Sequence, residues 1–305
     1  MRCEVCGLSD SIEKIRTYKS DWDRCDSCGC FVRHARARFP LEGIASLIPA
    51  AGGRAIALKR LLGKKEMGVD YYRYYEDVLG SGSLGKWQGE YATFRERLHS
   101  VGLSLGNRRF LDISGEPGFF AAAAKKDGAT DVTVTAFADN VADAIQKNLQ
   151  LNAVSYDFNR QSLSERVSSR FDFIACRYAL GFCERLDAFF SEIARIAAAD
   201  AHVYISVSPP SLAICSRWMF DDYTYLRQYT IDFIRVAAMK NGLQPVHVFD
   251  DGTYRFDAGL HWAQRLLTSV YRRILSPRLR AGSDYHLYQR NVGLLFRRIS
   301  PAVAG

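Results

Sequence analysis

Apolar positions along this 305-residue chain are spaced in two ways, and the change between them organises the molecule. From Arg108 onward, short apolar runs alternate with amphipathic stretches. Arg109–Ser114, with Phe110, Leu111 and Ile113, reads as a strand, and Phe119–Lys126, after a Gly/Pro turn, as a helix. Asp131–Phe137, rich in Val and Thr, reads as a second strand, Asn140–Asn152 as a helix, and Ala153–Phe158 as a weaker third strand. Phe171–Arg177 is a clear apolar strand, Leu186–Ala198 an amphipathic helix, and Ala201–Val207 a β-branched strand. Tyr229–Asn241 has helical spacing, and Gln244–Phe249 and Asn291–Arg297 read as the two final strands. Strands alternating with helices in this way specify βαβ units, and hence an α/β fold on a mostly parallel sheet.

The flanking segments behave differently. Residues 1–40 form a cysteine-rich module ending at Pro40, and residues 41–100 a mainly helical linker containing the aromatic run Tyr71-Tyr72-Arg73-Tyr74-Tyr75. Residues 101–305 are the α/β domain, with an insertion near 255–290 that is too long for a hairpin turn. Inside it, 261–275 places Ala263, Leu266, Leu267, Val270, Tyr271 and Ile274 on one stripe, with Arg265, Arg272 and Arg273 opposite. Such a helix covers its own domain's core, docks a partner, or lies on a membrane surface. The best candidate for a membrane span, Gly43–Leu62, is broken by Pro49, Arg54, Lys59 and Arg60. The first residues lack an apolar leader core, so a cytoplasmic protein is expected.

Charge narrows the partners only slightly. The net charge is +8, and Arg255–Arg298 holds nine arginines against Asp257 and Asp284. A phosphorylated small molecule, a nucleic acid and an anionic membrane all suit such a face. Oligomeric state is not legible here.

The cysteines are more specific. Of the eight, five lie in the first thirty residues, and Cys3-x-x-Cys6 and Cys25-x-x-Cys28 are two knuckles, each followed by a glycine (Gly7, Gly29). Two such knuckles turn four thiolates toward one point and predict a tetrahedral zinc site. Four protein ligands leave no open position, so the metal's role is structural, and chelation is expected to unfold the module alone. Cys30 lies beyond the knuckle and is expected to pack; His34 is an alternative ligand.

Phe110-Leu111-Asp112-Ile113-Ser114-Gly115-Glu116-Pro117-Gly118-Phe119 runs from a strand through a Gly/Pro turn to a helix start, where doubly wound sheets meet their ligands. It resembles motif I of class I S-adenosylmethionine-dependent methyltransferases, Asp-x-Gly-x-Gly-x-Gly, through Asp112 and Gly118. Ser114 and Glu116 stand where that motif has glycines. Phe171–Phe182 leading into Asp187–Ile196, and Asp222–Thr230 followed by Asn241-Gly242-Leu243, are similar to later segments of the same family. With the N-terminal knuckles, the whole resembles zinc-ribbon methyltransferases of bacterial surface-glycan and secondary-metabolite pathways. The resemblance implies a Rossmann-like seven-stranded sheet and S-adenosylmethionine as cofactor. It implies cofactor contacts from Asp112, Ser114, Gly115, Glu116, Gly118 and Arg177, with Asp139 as the nearest substitute for a missing ribose acid and Asp157 near the adenine.

Catalytic candidates at the expected cleft are Tyr178, Tyr223 and His247, with Asp222 beside them. Three functions fit. The first is methyl transfer to a small molecule such as a sugar nucleotide or glycan precursor. The second is methylation of RNA or protein, and the third a methyltransferase fold kept for binding alone.

Overall fold

The computed structural model describes residues 2–8, 12–16, 21–33, 85–207, 227–250 and 292–299. Its strands are β1 (Ile12–Arg16), β2 (Asp21–Cys25), β3 (Phe31–Arg33), β4 (Arg109–Ile113), β5 (Thr130–Ala136), β6 (Asn152–Ser155), β7 (Phe171–Arg177), β8 (Ala197–Val207), β9 (Arg227–Gln228), β10 (Leu243–Asp250) and β11 (Val292–Arg298). Its helices are α1 (Gly85–Ser100), α2 (Phe119–Lys126), α3 (Asp139–Leu149), α4 (Leu163–Arg166), α5 (Leu186–Ile196) and α6 (Ile231–Lys240). Tyr223, Asp222, His34, the Tyr71–Tyr75 run and the 261–275 stripe lie outside the described residues, as does most of the 41–100 linker. No described helix is long and apolar enough to cross a membrane.

The main sheet has seven strands in the order β10-β11-β8-β7-β4-β5-β6. β4, β5, β6, β7 and β8 run parallel, and β11 is antiparallel to both its neighbours. The order reverses at β4, whose chain goes on to β5 on one side and whose other neighbour is β7. That switch point is where an open α/β sheet leaves a crevice at its strand ends.

Period-two alternation divides the strand side chains between two cores. Leu111, Ile113, Ile174, Cys176, Val203 and Ile205 pack under α5 and α6. Phe110, Phe173, Ala175, Val134 and Tyr204 pack under α1, α2 and α3 on the opposite face. Helix α5 shows why its spacing was readable: Leu186, Phe189, Phe190, Ile193 and Ile196 are all buried, a single helical stripe. At the entry edge of the sheet, Arg109 grips Asp172 with both guanidinium arms (Nε at 3.0 Å, Nη2 at 2.9 Å) and with its backbone N–H. The acid of the Phe171-Asp172 pair thus ties β4 to β7.

The N-terminal module is not a separate bead. β1, β2, β3 and β9 form one antiparallel sheet, in which Phe31 pairs with Gln228 and Val32 with Arg227. The last strand of the module's sheet therefore comes from the body of the protein.

Candidate functional site

Four thiols converge in the module. The Sγ atoms of Cys3, Cys6, Cys25 and Cys28 all lie within 4.8 Å of one another. Cys3 and Cys28 are 3.9 Å apart, and Cys6 and Cys25 3.8 Å. A zinc tetrahedron with Zn–S bonds of about 2.3 Å has an S···S edge of about 3.8 Å, whereas a disulfide bond is only about 2.05 Å long. The spacing fits a metal and excludes cystines. Both knuckles close identically: Gly7 N–H donates to the Cys3 carbonyl and Gly29 N–H to the Cys25 carbonyl, each at 2.9 Å. Both glycines sit at positive φ (75° and 66°), which a side chain would strain. Cys30, fully buried, packs behind the knuckle with its thiol 3.8 Å from the Thr230 hydroxyl.

The second site lies at the switch point. Alternation carries Asp112 onto the same face as Phe110, and Arg177 onto the face of Phe173 and Ala175. The two charges meet at neighbouring strand ends, with Arg177 Nη2 3.4 Å from Asp112 Oδ2. The guanidinium lies 3.6 Å over the Phe120 ring of α2, and its Nη1 is 3.4 Å from Glu90 Oε2 of α1. Asp112 is fully buried, and burial raises its pKa against the pull of Arg177. Two atoms of the pair remain unsatisfied: Asp112 Oδ1 and Arg177 Nε are buried without a hydrogen-bond partner among the described residues. A buried orphan acceptor beside a buried orphan donor is costly unless a ligand completes them.

The loop between β4 and α2 frames this pair. Ser114 adopts φ 50°, and its N–H donates to Thr135 Oγ1 at 2.9 Å. Gly115 N–H donates to the Thr135 carbonyl at 3.1 Å, and a Cβ on Gly115 would land on the Asp112 carboxyl. Gly118, at φ 90°, caps α2, and a Cβ there would come within 2.9 Å of Leu149 and 3.0 Å of Ile145. Its missing side chain lets the start of α2 approach Ile145 and Leu149 of α3. Glu116 crosses to the end of β5, where its Oε1 accepts from Phe137 N–H at 2.6 Å. Burial pushes the Glu116 carboxyl up to about 7.

Other expected cofactor residues have local partners. Asp139 starts α3, exposed, and accepts from the Ser155 hydroxyl. Asp157 caps its own turn, accepting from Asn159 N–H at 2.8 Å and lying 3.7 Å from Arg160.

Tyr178 follows Arg177 at φ 55°, a strained conformation for a bulky residue. It lines a small, open cleft with Gly181, Val207, Arg227, Gln228 and Tyr229. Arg227 and Gln228 are β9, so the cysteine module's sheet walls that cleft. Spacing alone gave no sign of this two-residue strand. His247 is not brought into the group. It is exposed on edge strand β10, four strands from β4, or roughly 19 Å at ordinary strand spacing.

Comparison with known proteins agrees with this geometry. Residues 111–205 match the family described as a methyltransferase domain. No curated protein sequence matches the chain. Among solved structures, a Galdieria sulphuraria protein assigned to sarcosine dimethylglycine methylation superposes with a TM-score of 0.51 at 16% identity, over 70% of this chain and 86% of that one. An S-adenosylmethionine-dependent methyltransferase from Mesorhizobium loti superposes with a TM-score of 0.47 at 14% identity, over 67% of this chain and 96% of that one. Residues 111–205 are thus similar to a methyltransferase domain, and they lie in a sheet of Rossmann-like topology.

Proposed function

We propose that the chain transfers a methyl group from S-adenosylmethionine to a small molecule, a sugar nucleotide or glycan precursor, and carries one structural zinc ion. The observation that carries the cofactor reading is the half-satisfied Asp112–Arg177 pair beside the bare backbone of Gly115. An amino-acid end has what each orphan atom needs: an ammonium for Asp112 Oδ1 and a carboxylate for Arg177 Nε. Ser114, Gly115 and Gly118 shape the path along the α2 N-terminus, whereas Asp139 and Asp157, the acids expected at the nucleoside end, each have a local partner. The cofactor supplies an electrophilic methyl group on a sulfonium.

The chain then has to hold an acceptor in line with that methyl, exclude water, and take up any proton the acceptor sheds. The cleft beside Tyr178 suits the acceptor, because Arg177 and Tyr178 are consecutive and serve the two sites from one strand end. Tyr178 is the candidate to position the acceptor or receive its proton, and Tyr223 is a second. His247, out on the edge strand, has no such access. Arg227 in the cleft wall and the arginine-rich 255–290 insertion favour a phosphorylated acceptor. The four thiolates fit zinc in a closed site.

Calorimetric titration with S-adenosylhomocysteine tests the cofactor reading. Binding is expected in the micromolar range; none at millimolar ligand would leave the fold as a scaffold and sink the transferase. Given binding, a methyl-transfer screen of nucleotide sugars against RNA separates the acceptor classes. Metal analysis of the purified chain should return about one zinc per molecule.

A further inference from the structure

An open α/β sheet that binds a nucleoside cofactor ordinarily takes its ribose on a carboxylate about 20 residues beyond the glycine loop, at the end of the second strand. In this chain that stretch is Thr135-Ala136-Phe137-Ala138, with no acid. Yet a carboxylate does stand at the end of β5. It belongs to Glu116, which reaches across from the glycine loop itself and is fixed by the Phe137 N–H at 2.6 Å. Oε1 makes that bond, and the backbone N–H of Glu116 itself also acts on the carboxylate, so the group is fixed in place at the strand end. The alternative acid, Asp139, is exposed on the first turn of α3 and already accepts from Ser155.

We propose that Glu116 is the ribose-diol acceptor of this protein, supplied from the loop in place of the missing strand-end acid. The proposal rests on the S-adenosylmethionine reading of the site. It explains why a glutamate replaces a glycine in the loop: the side chain that crowds the turn is the one the turn must deliver. A carboxylate whose one oxygen is held by a backbone N–H presents the other in a fixed direction, suited to one or both hydroxyls of a vicinal diol. The charged groups facing it are Asp112 of β4 and Arg177 of β7, which act on its titration in opposite senses.

The test is a binding cycle on the full chain. S-adenosylhomocysteine and its 2′-deoxyribose and 3′-deoxyribose analogues are titrated into the native protein and into Glu116→Gln. Loss of one charge-assisted hydrogen bond corresponds to roughly tenfold or more in affinity. The native protein should therefore bind at least one deoxy analogue about tenfold more weakly than the parent, while Glu116→Gln should bind parent and analogues within about twofold of each other. Equal discrimination in both proteins overturns the proposal and leaves the cofactor reading intact. Failure of the native protein to bind any of the three ligands overturns both. If Glu116→Gln does not fold, the native protein is titrated at pH 5.5 and 8.5. Discrimination against the deoxy analogues should then be large at pH 8.5 and fade at pH 5.5, and a discrimination unchanged between the two overturns the assignment.

Discussion

Gly118 shows how tightly single positions are specified at this site. Its φ of 90° is strained for any L side chain, and a Cβ would press on Leu149 and Ile145, both packed behind it. Gly118→Ala is therefore expected to lower stability by about 2–3 kcal/mol, adding backbone strain to overpacking. Thermal denaturation checks this, and a change under about 0.5 kcal/mol would show that α2 and α3 can part freely. Glu116 makes an opposite prediction. Its folded-state pKa lies near 7, above its ordinary 4.5, so the folded chain keeps a proton that the unfolded chain has released. The folded state thus binds more protons between those values, and this residue's contribution to stability falls as pH rises from about 4.5 to about 7. Glu116→Gln removes that slope: relative to the native chain it should gain stability at pH 8 and show no such gain at pH 4.5. Urea denaturation at the two values measures the difference, and a variant less stable by the same margin at both would refute the buried-carboxylate account.

Among the elements, β9 and the start of α6 carry the most consequence for their size. Thr230 accepts from Phe233 N–H at 3.3 Å as the cap of α6, and its hydroxyl donates to the Cys28 carbonyl at 3.0 Å. Arg227 meets Glu4 at 3.0 Å, and Tyr229 donates to the Cys183 carbonyl at 2.6 Å. One short segment thus joins the cysteine knuckle, the cleft and a helix cap. Thr230→Val is expected to cost about 1–2 kcal/mol through the lost cap, and more of its effect should appear as faster amide exchange over 231–234 than over α5. Elements of this kind are hard to read from sequence. β7 and α5 were legible because their period is written in consecutive apolar residues, Phe173 and Ala175 on one face of β7 with Ile174 and Cys176 on the other, and Leu186 to Ile196 along a stripe. β9 has two residues and no period, and its partner is some two hundred positions away in the chain. The knuckle cysteines were legible for the opposite reason, since their spacing is local. Asp112 and Gly118 were found by motif. The reach of Glu116 to Phe137 was not, because it depends on where a side chain crosses between two strands. His247 lay in a strand correctly read, but its place at the sheet edge is set by topology rather than by local pattern.

At the scale of the whole molecule, the proposed cofactor loop and the cleft beside Tyr178 are built from different parts. The cofactor loop rests on β4, β5, α2 and α3, held by Thr135, Phe137, Ile145 and Leu149. The cleft beside Tyr178, proposed for the acceptor, is walled by β9, which pairs with the cysteine module's β3. Removing the metal should therefore act unequally on the two. Without a cation Cys3, Cys6 and Cys28 favour protonation, burial pushing Cys3 up to about 12, and no metal then draws the two knuckles together. The sheet β1-β2-β3-β9 then loses its cross-link, so the damage is expected to pass beyond the module, contrary to the expectation from sequence that it would stop there. Chelation should raise amide exchange over 2–33 and 227–234 while the affinity for S-adenosylhomocysteine stays within about twofold, as for sites with no shared packing. Bound at a hundredfold its Kd, that ligand should still add about 2.7 kcal/mol of stability to the chelated protein. Exchange mass spectrometry and calorimetry on the same samples decide the matter. A tenfold loss of cofactor affinity on chelation would mean that module and loop open as one cooperative unit, whereas unchanged exchange over 227–234 would mean that β9 holds its place without β3.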